Sequence, residues 1–366
     1  MIVRNRLIMN LNLTNSTSNS TSYYDPYVVR DGIVLFMYLV TSIVAVIGNI
    51  FICLVVYNKK QMRSTTYILI VSMAISDIIG GLTIPGQWFF CSTWFLSIGS
   101  SGERICGLHK SAQILSYYVS TFTMTAIAID RYRLVLHPLK PRIKWVWPVA
   151  ITWVLGMLFT STTLASMRVS EYFSPTQGLI GCRVIFAHDV SFILRKIRVL
   201  LVMSTQYIIP LGITGFLYGM VMYTIWKRET VGSVTQDKKQ SLDKHKKKTI
   251  KMLIVVVALF ALAWLPTHLM HFLKFYTNII PLEKGKCNSS TFYTLCYWLG
   301  ISSCSYNVFI YCYFNSDFRF EAIRYWNMIF PFWKITPKDQ DKKNDENTSG
   351  ATNATETSEK MDQTQV

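Results

Sequence analysis

Seven runs of mostly apolar residues follow one another along the chain, at residues 33–57, 66–90, 107–136, 147–167, 199–226, 250–276 and 292–313, with short polar stretches between them. A helix needs about 20 apolar residues to cross a hydrocarbon core, and each run approaches or exceeds that. The centre of a bilayer offers no water to unpaired backbone groups, so each run is expected to be a helix. The runs are also about twice as long as the strands of an outer-membrane barrel. The predicted fold class is therefore an all-α membrane protein, a bundle of seven transmembrane helices.

Composition agrees with this pattern. The 366 residues are 51% hydrophobic and only 16% charged, whereas a soluble domain carries about 25% charged residues. The net charge of +17 would suit nucleic acid, but the basic residues fall between the apolar runs and form no basic face or RNA-binding motif. The charge instead reports orientation. If the N-terminus lies outside, the inner segments hold 24 Lys and Arg and the outer ones 11. Positive charge stays on the cytoplasmic side, where anionic lipid faces it. Residues 1–32 are then an extracellular tail. Asn12, Asn15 and Asn19 each open a glycosylation sequon there. Residues 33–313 are the bundle, 314–333 a short amphipathic eighth helix, and 334–366 a polar cytoplasmic tail expected to be disordered. No cleavable leader is evident, so the first apolar run is expected to target the chain itself.

Polar groups inside a membrane helix are costly, and each needs a reason. Asp77 sits midway along the second run, with Asn49, Ser120, Ser303 and Asn307 at similar depth on others. A cluster of these around Asp77 would hold a small cation such as sodium, with Asp77, Ser120 and Asn307 as its ligands. The plainer alternative is hydrogen bonding between helices. At the inner end of the third run stands Asp130-Arg131-Tyr132. The carboxylate can restrain the guanidinium, which on release can reach the backbone of an inserted partner helix. Pro210 and Pro266 interrupt the fifth and sixth runs. Each removes a helical hydrogen bond, and Trp264 beside Pro266 makes a candidate hinge. Cys106 and Cys182 both fall on the outer side, where a disulfide can form. Cys91, Cys287 and Cys296 are other outer thiols, and spacing alone does not fix the connectivity.

These residues resemble the rhodopsin-like G-protein-coupled receptors over residues 33–325. The resemblance rests on Gly48-Asn49, Ser76-Asp77, Cys106, Asp130-Arg131-Tyr132, Trp153, Cys182, Pro210 with Tyr218, Phe260, Trp264-Leu265-Pro266 and Asn307 through Tyr311. Asn315, Asp317, Phe318 and Arg319 look like the start of the family's eighth helix. The likeness implies a Cys106–Cys182 disulfide. It implies coupling and activation roles for Asp130, Arg131, Tyr132, Tyr218, Phe260, Asn307 and Tyr311. It also implies a heterotrimeric G protein and arrestin as partners, membrane lipid around the bundle, and residence in the plasma membrane. Some positions depart from the family pattern: Val308 stands where proline is usual, Ala263 replaces a common cysteine, and Thr121 replaces a larger apolar residue. Ser303 replaces a common asparagine, and Lys246 stands where many members carry an acidic partner for Arg131.

Within such a family the third helix helps to choose the ligand. Gln113 leaves a cationic amine without a counter-ion, and the seventh run has no lysine to hold retinal. Gln113 resembles neuropeptide receptors of the neuropeptide Y, RFamide and prokineticin groups, and the stretch 118–142 looks similar to prokineticin receptors. The expected ligand is an extracellular peptide, C-terminally amidated, contacting Gln113, Trp264, His268, His271 and Tyr297. Outer aromatics such as Trp88, Phe89, Phe275 and Trp298 suit peptide side chains, or else anchor helices at the headgroup level. A receptor for a non-peptide ligand and a transporter are the alternatives, although no internal repeat of the transporter kind is visible. Nothing suggests an enzyme or a resident cofactor beyond that cation. An N-terminal epitope tag is expected to stain on intact cells and a C-terminal tag only after permeabilisation; the reverse pattern would overturn the topology.

Overall fold

A computed structural model of the chain describes residues 26–59, 62, 64–89, 100–141, 143–165, 167–173, 180–186, 192–229, 236–277 and 291–336. The elements are α1 (Pro26–Asn58), α2 (Thr65–Phe89), α3 (Ser100–Leu136), α4 (Val146–Ala165), β1 (Met167–Phe173), β2 (Ile180–Phe186), α5 (Phe192–Met203), α6 (Ile209–Glu229), α7 (Gln236–Tyr276), α8 (Thr291–Ser302), α9 (Tyr306–Phe314) and α10 (Ser316–Ile329). The chain divides into residues 1–37 and residues 38–366. The described part of the first unit is the start of α1, residues 26–37. The second unit holds the helical bundle.

Among the described residues, five helical stretches are long and apolar enough to cross a membrane, while the apolar part of α4 is shorter, Val146–Ser161. The fifth and seventh spans are each assembled from two helices. A π turn, Ser204–Ile208, joins α5 to α6 directly before Pro210, whose missing N–H and ring leave the preceding turn unable to keep the α ladder. A 3-10 turn, Ser303–Ser305, joins α8 to α9. Here Ser302, Cys304 and Ser305 donate to the carbonyls of Leu299, Ile301 and Ser302 at 2.8, 3.0 and 2.7 Å. Side-chain donors of this kind compete with the helical ladder. The seventh span thus changes pitch at its serines, without the proline that Val308 replaces.

Polar groups tie the spans together. Trp153 on α4 donates its indole N–H to Ser72 on α2 at 3.0 Å. Gly156, one turn along, lets α4 approach α3 closely, since a Cβ there would lie 2.7 Å from Val119. Ser42 on α1 bonds the Gly81 carbonyl at 2.8 Å, and Trp298 on α8 donates to Thr41 at 3.0 Å. The connection after α4 carries a two-stranded antiparallel hairpin in which Glu171 stands opposite Cys182, a small strand pair added to the all-α bundle. The eighth helix is α10, capped by Asn315, whose side-chain oxygen accepts from the Asp317 amide at 2.9 Å. The sequons at Asn12, Asn15 and Asn19, and the tail beyond residue 336, lie outside the described residues.

Candidate functional site

The second and third spans meet through serines. Ser116 donates to the Ser76 carbonyl at 2.6 Å, and Ser76 and Ser120 share a 2.7 Å hydrogen bond. Ser120 then donates to one oxygen of Asp77 at 2.6 Å. Asn307 of the seventh span donates to the other at 2.7 Å. Asp77 therefore touches both of the other residues expected around a cation, Ser120 and Asn307. A cavity of about 30 Å³ adjoins them, lined also by Tyr117, Phe260, Trp264 and Ser303. That is room enough for a water molecule or a small ion. The Asp77 carboxylate and the serine hydroxyls are oxygen donors of the kind a hard cation takes, at one edge of a cavity whose lining is otherwise mostly apolar.

Trp264 of the sixth span borders the same cavity. Its indole N–H donates to Ser303 at 3.1 Å, and its ring meets Tyr117 edge-on at 4.7 Å and Phe260 at 6.2 Å. The 3-10 turn thus serves the sixth span through Ser303. It also serves the first span, because Asn49 donates to the Cys304 carbonyl at 2.9 Å.

The expected ligand residues converge above Trp264. Gln113 and His268 are buried. Tyr117, one helical turn inward from Gln113, has its hydroxyl beside Gln113 and Tyr297. Tyr207 lies against His268 with the rings tilted and their centroids 4.8 Å apart, and its hydroxyl donates to the Ala261 carbonyl at 2.8 Å. His271 bonds the Tyr293 hydroxyl at 3.1 Å, and Tyr293 stacks on Tyr297. Arg198 and Lys274 flank His271. Tyr117, Tyr207 and Arg198 were not singled out in the sequence. The i, i+4 spacing from Gln113 would have found Tyr117. Tyr207 and Arg198 depend on the phase of the fifth span, which the π turn alters. The side chains of Trp88, Phe89, Cys106 and Cys182 lie outside the described residues, and so does the expected pairing of the two cysteines. Cys296, an alternative disulfide partner, is a free buried thiol.

Near the C-terminal end of α3, Asp130 accepts a hydrogen bond from Thr66. Arg131 is half-buried and lies near Tyr67 and Tyr218. Tyr132 packs against His137. Tyr218 and Tyr311 are buried and line a narrow apolar gap with Met73, Met124 and Leu253, between the Asp77 layer and Arg131. Lys246 lies outside the described side chains.

The family described as seven-transmembrane receptor (rhodopsin family) matches residues 48–311. The chain is 30% identical to a RYamide receptor of Drosophila melanogaster over 78% of its own length and 61% of that receptor's. It is 29% identical to a RYamide receptor of Tribolium castaneum, with 77% of each chain covered. It is 28% identical to the human substance-P receptor over 84% of its length and 74% of the receptor's. The chain spans about three fifths of the fruit-fly receptor's length and about three quarters of the other two. The buried polar core, Trp264 and Asp130-Arg131-Tyr132 all fall inside the matched region, and the chain belongs to the rhodopsin family of seven-transmembrane receptors, multi-pass membrane proteins rather than transporters or enzymes.

Proposed function

We propose that the chain is a plasma-membrane receptor for an extracellular peptide and that the bound peptide activates a heterotrimeric G protein, with arrestin as a further inner partner. The observation that carries this reading is the position of Trp264. It touches Tyr117 beneath Gln113 on one side and, through Ser303, adjoins the Asn307–Asp77 pair on the other. A ligand that displaces this ring disturbs the polar core, and Pro266 gives α7 a place to bend. The names of the RYamide and substance-P receptors support a peptide as the ligand class. They do not bear on the prokineticin likeness. Extracellular placement of the N-terminus rests on the loop charges.

The layer of Gln113, Tyr117 and Trp264 suits a neutral end group. Gln113 offers both an amide donor and a carbonyl acceptor, which complement a C-terminal carboxamide, while Tyr117 and Trp264 add no charge. Burying a free carboxylate against these neutral groups would be costly. Arg198 and Lys274 lie near His271 instead, where they suit an acidic side chain of the same peptide. Sodium in the Asp77 cavity would neutralise the buried carboxylate and hold the second, third and seventh spans in the arrangement seen here.

Agonist-stimulated guanine-nucleotide exchange in membranes tests the core proposal: Arg131→Ala is expected to abolish exchange at matched surface expression while leaving peptide affinity largely intact, and unchanged exchange would sink the assignment. For the end group, an amidated agonist should exceed its free acid by at least tenfold, about 1.4 kcal/mol. Gln113→Ala should erase most of that preference, and equal potency of the two forms on the unmutated receptor would refute the idea. For the cation, replacing potassium by sodium should lower agonist affinity, and Asp77→Asn should remove that sensitivity. A sodium effect that survives in Asp77→Asn would exclude this site.

A further inference from the structure

Two helices bring cations together at the end of the bundle that carries the hairpin. Tyr276, the last residue of α7, donates its hydroxyl to the Lys196 carbonyl of α5 at 2.8 Å. The Lys196 ammonium lies over the same ring, 5.2 Å from its centre, and Phe272, one turn back, stacks on Tyr276 at 4.9 Å. This contact fixes the facing of α5 just before Arg198. The half-buried Arg198 guanidinium is thereby aimed toward α3 and α7, near Tyr118 and His271. Lys274, one turn along α7 from His271, acts on the same imidazole, which Tyr293 of α8 holds at 3.1 Å.

A cation in the last turn of a helix is favoured by the helix dipole alone. That accounts for Lys274 but not for Arg198, which comes from another helix. Like charges gathered near one ring repel, and more strongly where water is scarce. The imbalance also extends beyond the pair. Among the described side chains Lys110, Lys196, Arg198 and Lys274 stand at this end, whereas the carboxylates Asp77, Asp130, Asp317 and Glu321 lie in the polar core or toward the opposite end. Counting Lys110 and Lys274, the segments joined to this end hold 13 Lys and Arg against six Asp and Glu. Whatever pairs form among them, more than half of the positive charge has no internal counter-charge. A field of this sign gathers anionic ligands and turns cationic ones away.

The charge class of the ligand follows, on the reading that a peptide binds here with its amidated end at Gln113. His271 and Lys274 lie seven and ten residues beyond Trp264 on α7, or about 10 and 15 Å of helix. An extended peptide covers that rise in about three to five residues. We propose that the ligand is an acidic peptide, whose Asp or Glu, at that spacing before the amidated end, is held between Arg198 and Lys274. The planar guanidinium takes a carboxylate through two parallel hydrogen bonds, and the ammonium adds a point charge. The corresponding amide side chain forfeits the charge, and a basic one is repelled.

The full receptor in nanodiscs, panned against synthetic amidated decapeptides, tests this. The peptides are random except at one position, fixed in turn as Asp, Asn or Lys, and the retained ones are counted by mass spectrometry. At one or more positions within the stated spacing, Asp is expected to exceed Asn by about fivefold or more, with Lys depleted. Arg198→Gln combined with Lys274→Gln should remove that preference. Lys274→Glu alone should shift it from Asp toward Lys, a gain that a misfolded variant cannot show. Peptides retained by the unmutated receptor with Asp and Asn equal, or with Lys preferred, would overturn the proposal and leave the peptide reading standing. An Asp preference undiminished in the double variant would overturn the assignment to this pair. Retention of no peptide at all would overturn both the proposal and the peptide reading.

Discussion

The Asp77 carboxylate sits in the middle of the second span, and the donors that satisfy it come from two other spans. Taking an ionised group out of water costs several kcal/mol even after relaxation, so the placing of Ser120 and Asn307 is a constraint on the whole bundle. The third span must present its serine face to the second. The seventh must present Asn307, and it does so directly after the turn at Ser303–Ser305. That turn in turn supplies Ser303 to Trp264 and the Cys304 carbonyl to Asn49. Spans one, two, three, six and seven therefore meet through one polar layer.

Above and below this layer the chemistry differs. One side is aromatic, with Tyr117, Trp264, His268 and Tyr207 linked in turn by ring contacts and Gln113 beside the Tyr117 hydroxyl. The other side is an apolar gap bounded by Tyr218 and Tyr311, with Arg131 beyond it. Packed interiors respond to small displacements by switching between discrete arrangements rather than by deforming smoothly. A layer joined by hydrogen bonds to five spans, next to a gap that larger side-chain movements can fill, has the physical ingredients of such a switch.

The helices were legible because the bilayer imposes length and apolarity on each one, and the polar core was legible because Asp77, Ser120 and Asn307 stand out in apolar runs. The breaks in the helices were less so. Pro210 announced an irregularity in the fifth span but not that it would take the form of a π turn, which changes the facing of everything before it. In the seventh span the absence of proline at Val308 suggested a weaker kink, while the irregularity came from serines whose hydroxyls bond backward. Tyr117 was within reach of the helical spacing rule, whereas Arg198 was not, because its facing depends on the π turn.

The π turn at Ser204–Ile208 divides the fifth span into an outer part that carries Arg198 and an inner part that carries Tyr218. One residue corresponds to about 100° of helical rotation. Losing or gaining a single residue in this turn would re-aim Arg198 and the rest of α5 while leaving Tyr218 in phase with Arg131. The span thus behaves as two independently adjustable components on one axle: descendants of this gene could change what the outer half recognises by single-codon insertions and deletions, with the inner half inherited intact.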